Sequence, residues 1–358
     1  MKDRVKMKLV LEDGREFIGF GYGSGTPVAG EIVFNTSMVG YQEILSDPAY
    51  SGQIVLMTYP LMGQYGITDE DYESRLRGPL ALVVRECCQT PSNFRFTKTL
   101  SEDLEDHGAT CLEGVDTRMI TRIIREGKVR RAAIVEESVP VGDALKMIEA
   151  ISGESNPVAA VSCTKRWFSR TPQHSYDVVV IDCGMKHSIV SALNSLGCNV
   201  TVVPFNTSAE EILAFNPDGL LVSSGPGTTR NLDSVVKVIN ALKGKLPVFG
   251  IGLGCALVAV SYGAKVERMK CGHHGGHPVR CIADGKIYTA EHNHDYSVSE
   301  SSLKGTPLTV TFKDVADGTV EGLECEKDKV CLVQFYPEGG PGPQETAYFE
   351  RFIKMMED

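Results

Sequence analysis

The feature that most constrains the fold is a regular alternation of apolar runs and helical patterns that begins at Tyr176. Residues 177–182 enclose a continuous apolar run, which is typical of a strand buried on both faces of a sheet. A helical pattern follows at 187–196, and another apolar run lies at 199–203. Strands that alternate with helices predict a doubly wound, mostly parallel α/β sheet.

The same alternation continues toward the end of the chain. A further helix is expected to start at Ser208, because Glu210 and Glu211 place negative charge in its first turn. Strands are predicted at 219–223 and 247–251. The last helical pattern carries Phe349, Phe352, Met355 and Met356.

The N-terminal half lacks this rhythm and is predicted to be mixed α and β. Strand candidates lie at 8–12, 31–35 and 53–57, and Asp13-Gly14 after the first of them indicates a hairpin. A helical pattern at 119–125 follows Asp116 and stops at Gly127. The charged segment from Arg118 to Arg131 fits either a docking face or a solvated surface, and the sequence does not separate the two.

The length of 358 residues exceeds one ordinary core and predicts two domains. We expect an N-terminal domain at 1–152 and a C-terminal domain at 176–358. Between them, 153–175 is a polar segment with Pro157 and Pro172, and we interpret it as a linker.

Charge and cysteine usage narrow the class of protein. A net charge of −10, without a basic block, argues against a nucleic-acid partner, since phosphate binding needs a basic face. There is no secretory apolar segment after Met1 and no apolar run near the ~20 residues of a membrane span. The eleven cysteines form no disulfide framework, so we expect free thiols and a cytoplasmic location.

Two glycine-rich turns follow predicted strands of the second half. They are Ser223-Ser224-Gly225-Pro226-Gly227 and Gly250-Ile251-Gly252-Leu253-Gly254. Function in a doubly wound sheet gathers at the carboxyl ends of strands, but such turns are common in α/β proteins and are weak evidence alone. Residues 21–30 are also glycine-rich but lack the ending of a P-loop, so no nucleotide-phosphate site is expected.

The residues in and around these turns resemble motifs of class I glutamine amidotransferases. Residues 247–254 resemble the nucleophile elbow of that family, whose pattern is Gly-Ile-Cys-Leu-Gly-His-Gln. Residues 223–227 are similar to its oxyanion turn, and 333–338 are similar to its Gln-Phe-His-Pro-Glu element. The resemblance implies a class I glutamine amidotransferase-like domain at 176–358.

The N-terminal half is similar to one branch of that family, the small subunit of carbamoyl-phosphate synthetase. The similar segments are 34–44, 58–60 and 115–118, and 272–278 resembles that subunit's histidine-glycine loop with one residue fewer. The resemblance extends from Leu9 to Phe352. It implies a large synthetase subunit as partner, with ATP and Mg used by that partner and no cofactor in this chain.

The family releases ammonia from glutamine with a cysteine nucleophile, a histidine base and an orienting glutamate. The resemblance places Gly252 at the nucleophile position, Tyr336 at the base position and Glu338 at the orienting position. Glycine has no attacking atom, and a phenol with a pKa near ~10 is a poor base at neutral pH. We therefore expect the triad to be degenerate and the glutaminase activity of this chain to be absent.

The resemblance also locates a glutamine-like pocket that differs from the family pattern. Matching positions are Ser37, Gly225, Gly227, Leu253 and Asn293. The family's His-Gln after the elbow is Cys255-Ala256, and its Asn-His-Gly-Phe turn corresponds to residues 293–296. Here Asp295 and Tyr296 stand for glycine and phenylalanine, and the carboxylate of Asp295 is expected to repel the α-carboxylate of glutamine.

Three functional hypotheses remain open at this stage. The first is a small subunit that supports ammonia-dependent carbamoyl phosphate synthesis for arginine or pyrimidine formation. The second is a repurposed pseudoenzyme that binds or senses a small metabolite through the altered pocket. The third is an active glutaminase in which Cys255 replaces the missing nucleophile.

The sequence does not predict a metal site. Cys271, His273, His274 and His277 are compactly spaced, as in some zinc sites. The resembling family carries histidines in this loop without a metal requirement. We expect His292 and His294 to serve hydrogen bonding.

Overall fold

A computed structural model describes residues 5–75, 78–127, 129–151, 156–339 and 347–357. Contacts divide the chain into two compact units, Met1–Ser155 and Asn156–Asp358. Among the described residues, no helix combines the length and the apolar character that a membrane span requires. All eleven cysteines are free thiols, as expected.

The first unit is built around a closed β-barrel. Its strands are β1 Val5–Leu11, β2 Glu16–Gly23, β3 Val28–Asn35, β4 Gln53–Met57, β5 Leu61–Met62, β6 Ala81–Val84, β7 Glu86–Cys87, β8 Thr110–Glu113 and β9 Arg131–Glu136. Its α-helices are α1 Tyr41–Ser46, α2 Leu100–Asp106, α3 Thr117–Arg125 and α4 Val141–Glu149. The barrel order is β1-β2-β8-β6-β4-β3-β9, and it closes where β9 pairs antiparallel with β1.

Side chains of the first barrel strand alternate between two apolar clusters, because successive residues of a strand point to opposite faces of the sheet. Met7, Leu9 and Leu11 of β1 belong to one apolar core, whereas Val10 packs in another cluster with Ala144 of α4. Both sets are fully buried. The hairpin predicted at Asp13-Gly14 is present as the antiparallel pair β1–β2.

The second unit contains one large mixed sheet. Its strands are β10 Trp167–Ser169, β11 Tyr176–Asp182, β12 Cys198–Pro204, β13 Gly219–Val222, β14 Val248–Ile251, β15 Val266–Cys281, β16 Ile287–Val298, β17 Thr309–Asp314, β18 Val320–Cys325 and β19 Val330–Val333. Its α-helices are α5 Pro157–Val161, α6 His187–Ser195, α7 Ala209–Leu213, α8 Asp233–Leu242, α9 Leu253–Ser261 and α10 Ala347–Glu357. The sheet order is β10-β12-β11-β13-β14-β19-β18-β16-β15-β17.

The doubly wound sheet predicted for this half is confirmed in the central strands. The neighbours β12, β11, β13, β14 and β19 pair in parallel, and β11 is buried on both faces. Val179 and Ile181 face a core that includes α8 and α9, while Val178 and Val180 face a core that includes α6 and α10. Ser208 caps α7 through a capping box with Glu211, at the predicted start.

The segment interpreted as a linker from the sequence contains ordered elements of the second unit. Pro157 opens α5, where its missing N–H is not needed, and β10 pairs antiparallel with β12. Short elements bounded by polar residues lack the periodicity that predicts them from sequence. Residues 153–155 of the interpreted linker lie outside the described residues.

The last helix is anchored by aromatic side chains, and this generates a test of the fold. Phe352 is fully buried, with its ring centroid 5.7 Å from that of Phe249. We expect Phe352→Ala to lower the free energy of unfolding of this unit by about 3–5 kcal/mol, because it removes a buried ring and leaves a cavity. Fluorescence of Trp167, the only tryptophan, followed in urea measures this transition. Glu350→Ala, at an exposed position of the same helix, is the control and should change it by less than about 0.5 kcal/mol.

Candidate functional site

A strand-to-helix elbow forms the centre of the candidate site. β14 ends at Ile251, α9 begins at Leu253, and Gly252 between them has φ 57° and ψ −114°. This backbone conformation is accessible to glycine and costly for other residues. The N–H of Gly252 donates to the carbonyl of Val333, 2.9 Å away, which fixes the elbow against β19.

The elbow leaves space for a side chain, although glycine supplies none. A Cβ built on Gly252 would lie 3.4 Å from Cβ of Ser224 and 3.7 Å from Cε1 of Tyr336, both ordinary contact distances. Gly252 and Tyr336, the residues that the sequence assigns to the nucleophile and base positions, are therefore neighbours. The cost of a larger residue at Gly252 comes from the backbone and not from crowding.

A buried lysine, Lys186, lies beside Tyr336 and Glu338. Lys186 precedes α6 and is fully buried. Its Nζ lies 4.3 Å from the centroid of the Tyr336 ring and 3.4 Å from Oε1 of Glu338, and it donates to the carbonyl of Gly339. The structure thus joins Gly252, Tyr336, Glu338 and Lys186 into one contiguous group. The carboxylate of Glu338 is paired with the ammonium group of Lys186, which also lies over the face of the Tyr336 ring.

Sequence reasoning missed Lys186. Its position between a buried strand and a helix carries no pattern that distinguishes a buried lysine from an exposed one. Lysine is rarely buried unless it is paired. A pairing with Glu338, which is 152 positions away, is visible only in the fold.

Cys255 is in the first turn of α9, as expected, but its thiol is poorly suited to attack. It is buried, and burial raises its pKa above the ordinary value, with a smaller contribution from the negative charge of Glu321. A thiol that stays protonated is a weak nucleophile. Nothing in this environment supports the hypothesis that Cys255 replaces the missing cysteine.

The predicted pocket residues fall into three groups. Gly225 and Gly227 lie in the turn after β13, and Leu253 and Ala256 lie in the first turn of α9. Ser37 belongs to the first unit, where its backbone N–H donates to Oδ1 of Asn35. The remaining three residues, Asn293, Asp295 and Tyr296, are in β16.

The carboxylate of Asp295 is stabilised in its charged form. Its Oδ1 lies 3.4 Å from Nε2 of His274. Burial opposes ionisation, but the neighbouring His274 and Arg268 lower the pKa of Asp295 below its ordinary value. Asp295 is therefore negatively charged at neutral pH. His274 also contacts Oδ1 of Asn293 at 2.9 Å, so one imidazole orients both pocket side chains.

A second group of polar side chains lies on the neighbouring antiparallel strands. His273, His292, His294 and Glu321 are all buried, and each offers one nitrogen or oxygen atom within 4.8 Å of the others. His292 and His294 do contact each other, 3.1 Å apart between Nδ1 and Nε2. No local pattern in the sequence associates either histidine with Glu321, which is in β18.

Comparison with known proteins gives two family matches that together span most of the chain. Residues 9–134 match the family model for the carbamoyl-phosphate synthase small chain, CPSase domain. Residues 179–356 match the model for glutamine amidotransferase class-I. The two matches correspond to the two units of the structure.

Curated relatives are similar over their whole length. The chain is 44% identical to the carbamoyl phosphate synthase pyrimidine-specific small chain of Halalkalibacterium halodurans, over 99% of this chain and 98% of the relative. It is 45% identical to the carbamoyl phosphate synthase small chain of Staphylococcus epidermidis, over 99% and 96%. It is 42% identical to the pyrimidine-specific small chain of Bacillus subtilis, also over 99% and 96%.

The backbone of the elbow generates one prediction. We expect Gly252→Cys to lower the free energy of unfolding of the second unit by about 1–3 kcal/mol, because a β-carbon is strained at this φ. Urea unfolding followed by Trp167 fluorescence measures the change. Gly276→Cys is the control, since Gly276 is exposed, has no positive φ and has one ordinary contact, Thr289 Cγ2 at 3.5 Å. Equal stability of Gly252→Cys and the native chain would contradict the strain argument.

The buried lysine generates another prediction. We expect Lys186→Met to destabilise the second unit by about 3–5 kcal/mol, because it leaves the carboxylate of Glu338 buried without its ammonium partner. The double variant Lys186→Met, Glu338→Gln should recover part of the loss, since the uncompensated charge is removed. A double-mutant cycle in urea tests this. Additive losses from the two single variants would show that the two side chains are not coupled.

Proposed function

Because the chain belongs to the carbamoyl-phosphate synthase small-chain family, we propose that it is a synthase subunit that does not hydrolyse glutamine. The observation on which this proposal depends is the elbow residue itself. Gly252 lies where the family's nucleophile is expected and has no atom that can attack an amide. Carbamoyl phosphate would then be made from free ammonia by a large subunit that uses ATP and Mg.

The base position supports the same proposal. Tyr336 is buried, and its phenol does not take up a proton at neutral pH as an imidazole does. Lys186 lies over the ring and beside Glu338, so the carboxylate balances an ammonium charge instead of orienting a base. Loss of the whole triad in a comparable enzyme costs roughly a millionfold in turnover.

The altered pocket also disfavours glutamine. A glutamine molecule carries an α-carboxylate, and the charged Asp295 in β16 would repel that group if it is bound as in the family. Ala256 cannot supply the side-chain amide that the family pattern has at this position. The changes at Asp295 and Ala256 would weaken the binding of glutamine, whereas Gly252 and Tyr336 lack the nucleophile and the base that hydrolysis needs.

The role left to this chain is to bind and support the large subunit. The chain matches both family models and aligns with 98% of the length of one relative, which supports the same kind of partner for this chain. The names of two relatives specify pyrimidine formation, and this favours the pyrimidine branch over arginine as the destination of the product.

Ammonia release and product formation test the proposal separately. The purified chain should release ammonia from glutamine roughly a millionfold more slowly than a competent amidotransferase. Combined with the large chain of the same organism, it should support carbamoyl phosphate formation from ammonium chloride and not from glutamine. Radiolabelled bicarbonate trapped in the product measures this second activity.

A Cys255→Ala variant is the control for the first assay. It should match the native chain, because Cys255 has no part in the reaction. Rapid ammonia release by the native chain that disappears in Cys255→Ala would overturn the proposal. Failure of the two chains to co-purify would contradict the subunit role and leave the absence of glutaminase activity standing.

A further inference from the structure

Four buried side chains converge where three antiparallel strands meet. His273 is in β15, His292 and His294 are in β16, and Glu321 is in β18. His273 is directly opposite His294 in the strand register. His292 and His294 are two residues apart, so both project from the same face of β16. Their side chains are 6%, 0%, 5% and 0% exposed in the order given, so bulk water does not solvate them.

Three of the distances between the polar atoms are close to the edge of a tetrahedron around a metal ion, and all four ligand atoms lie within 4.8 Å of one another. Metal–nitrogen and metal–oxygen bonds of about 2.0–2.1 Å give ligand–ligand separations of roughly 3.3–3.4 Å in tetrahedral geometry. Nδ1 of His292 lies 3.1 Å from Nε2 of His294, and each lies 3.4 Å from Oε2 of Glu321. Nδ1 of His273 lies 3.2 Å from Oε1 of the same carboxylate.

Outer hydrogen bonds orient two of the imidazoles toward this centre. Nδ1 of His294 lies 3.0 Å from the carbonyl of Tyr296, which only accepts, so that nitrogen carries the proton and Nε2 keeps its lone pair. Nε2 of His273 lies 3.1 Å from Oδ2 of Asp317 in the same way, which leaves Nδ1 as the inward-facing atom. Carbonyl or carboxylate partners behind a ligating histidine are typical of metal sites.

One of the two oxygens of the central carboxylate lacks a hydrogen-bond partner among the described residues, whereas Oε1 accepts from Oγ1 of Thr319 at 3.1 Å. Oε2 of Glu321 is buried and accepts no hydrogen bond from the described residues, although two imidazole nitrogens are 3.4 Å away. The ion pairs of Glu321 among the described residues are with His273, His292 and His294. A buried carboxylate is costly unless a cation compensates its charge, and Oε2 faces the imidazole nitrogens of His292 and His294. One proton on His273 would supply a single positive charge, whereas a divalent ion supplies two and contacts all four ligands.

We propose that His273, His292, His294 and Glu321 bind one divalent transition-metal ion of the zinc class. Three imidazoles and one carboxylate suit zinc, and four protein ligands in a closed, buried site are typical of a structural role. The ion ties β15, β16 and β18 together. This inference does not depend on whether glutamine is hydrolysed.

This proposal departs from the expectation of no metal drawn from the sequence. The compact run from Cys271 to His277 suggested a local zinc loop, but of its members only His273 contributes. Cys271 is half-buried and is not in the group, and His277 stacks on the ring of His273 at 4.3 Å between centroids. The other ligands come from strands that are adjacent only in the folded sheet.

Metal binding by the full chain tests the proposal with zinc and cobalt salts as probes. After removal of metal with a chelator, the chain should bind one equivalent of Co²⁺ with the strong visible absorption of tetrahedral cobalt, and Zn²⁺ should displace it. Zn²⁺ should raise the midpoint of thermal unfolding. His292→Gln and Glu321→Gln should each weaken binding by roughly 100-fold or more, since outer-shell changes alone cost about 10–100-fold.

The matched control is His274→Gln, which makes the same substitution on β15 outside the ligand set. It should keep the cobalt spectrum and the stabilisation by zinc. Circular dichroism of the metal-free variants shows whether each is folded, and the native chain gives a result even if a variant is not. A folded native chain that binds no Co²⁺, or equal binding by the native chain, His292→Gln and Glu321→Gln, would overturn the proposal.

Discussion

The turn from β14 into α9 is the constraint on which the rest of the second unit depends. Its shape is set by backbone contacts and not by a catalytic side chain. A Cβ on Gly254 would lie only 2.0 Å from the carbonyl of Val222, so glycine is required where α9 approaches β13. The positive φ of Gly252 and its hydrogen bond to Val333 fix the same turn from the other side. A frame that presents a nucleophile in the family can therefore persist without one.

Buried, paired side chains surround Lys186, at positions where the family is expected to carry catalytic residues. Burying a charged pair costs desolvation free energy that good pairing must offset. Here the ammonium of Lys186 has a carboxylate, a carbonyl and an aromatic face around it. A tyrosine in place of a histidine supplies that aromatic face. Charge balance with Lys186 accounts for a carboxylate at Glu338 whether or not a reaction uses it.

The sequence predicted the elements whose pattern is local and missed those that depend on distant pairing. The apolar run at 178–181 is fully buried in β11, because four consecutive apolar residues indicate a strand with two covered faces. Closure of the barrel by β1 and β9 joins segments more than 100 residues apart and leaves no trace in local periodicity. The four side chains of the proposed metal site and Lys186 were missed for the same reason, since their partners meet only across strands or at positions far apart in the chain.

The negative charge of Glu321 links the proposed metal site to the thiol of Cys255 in α9. This charge contributes to the raised pKa of Cys255, and a bound cation would cancel that contribution. Burial is the larger cause of the shift, and it is unaffected by the ion. Cys255 would therefore remain protonated with or without metal. An ion at the strand junction can stabilise the fold around the elbow, but it cannot supply the thiolate that the elbow lacks.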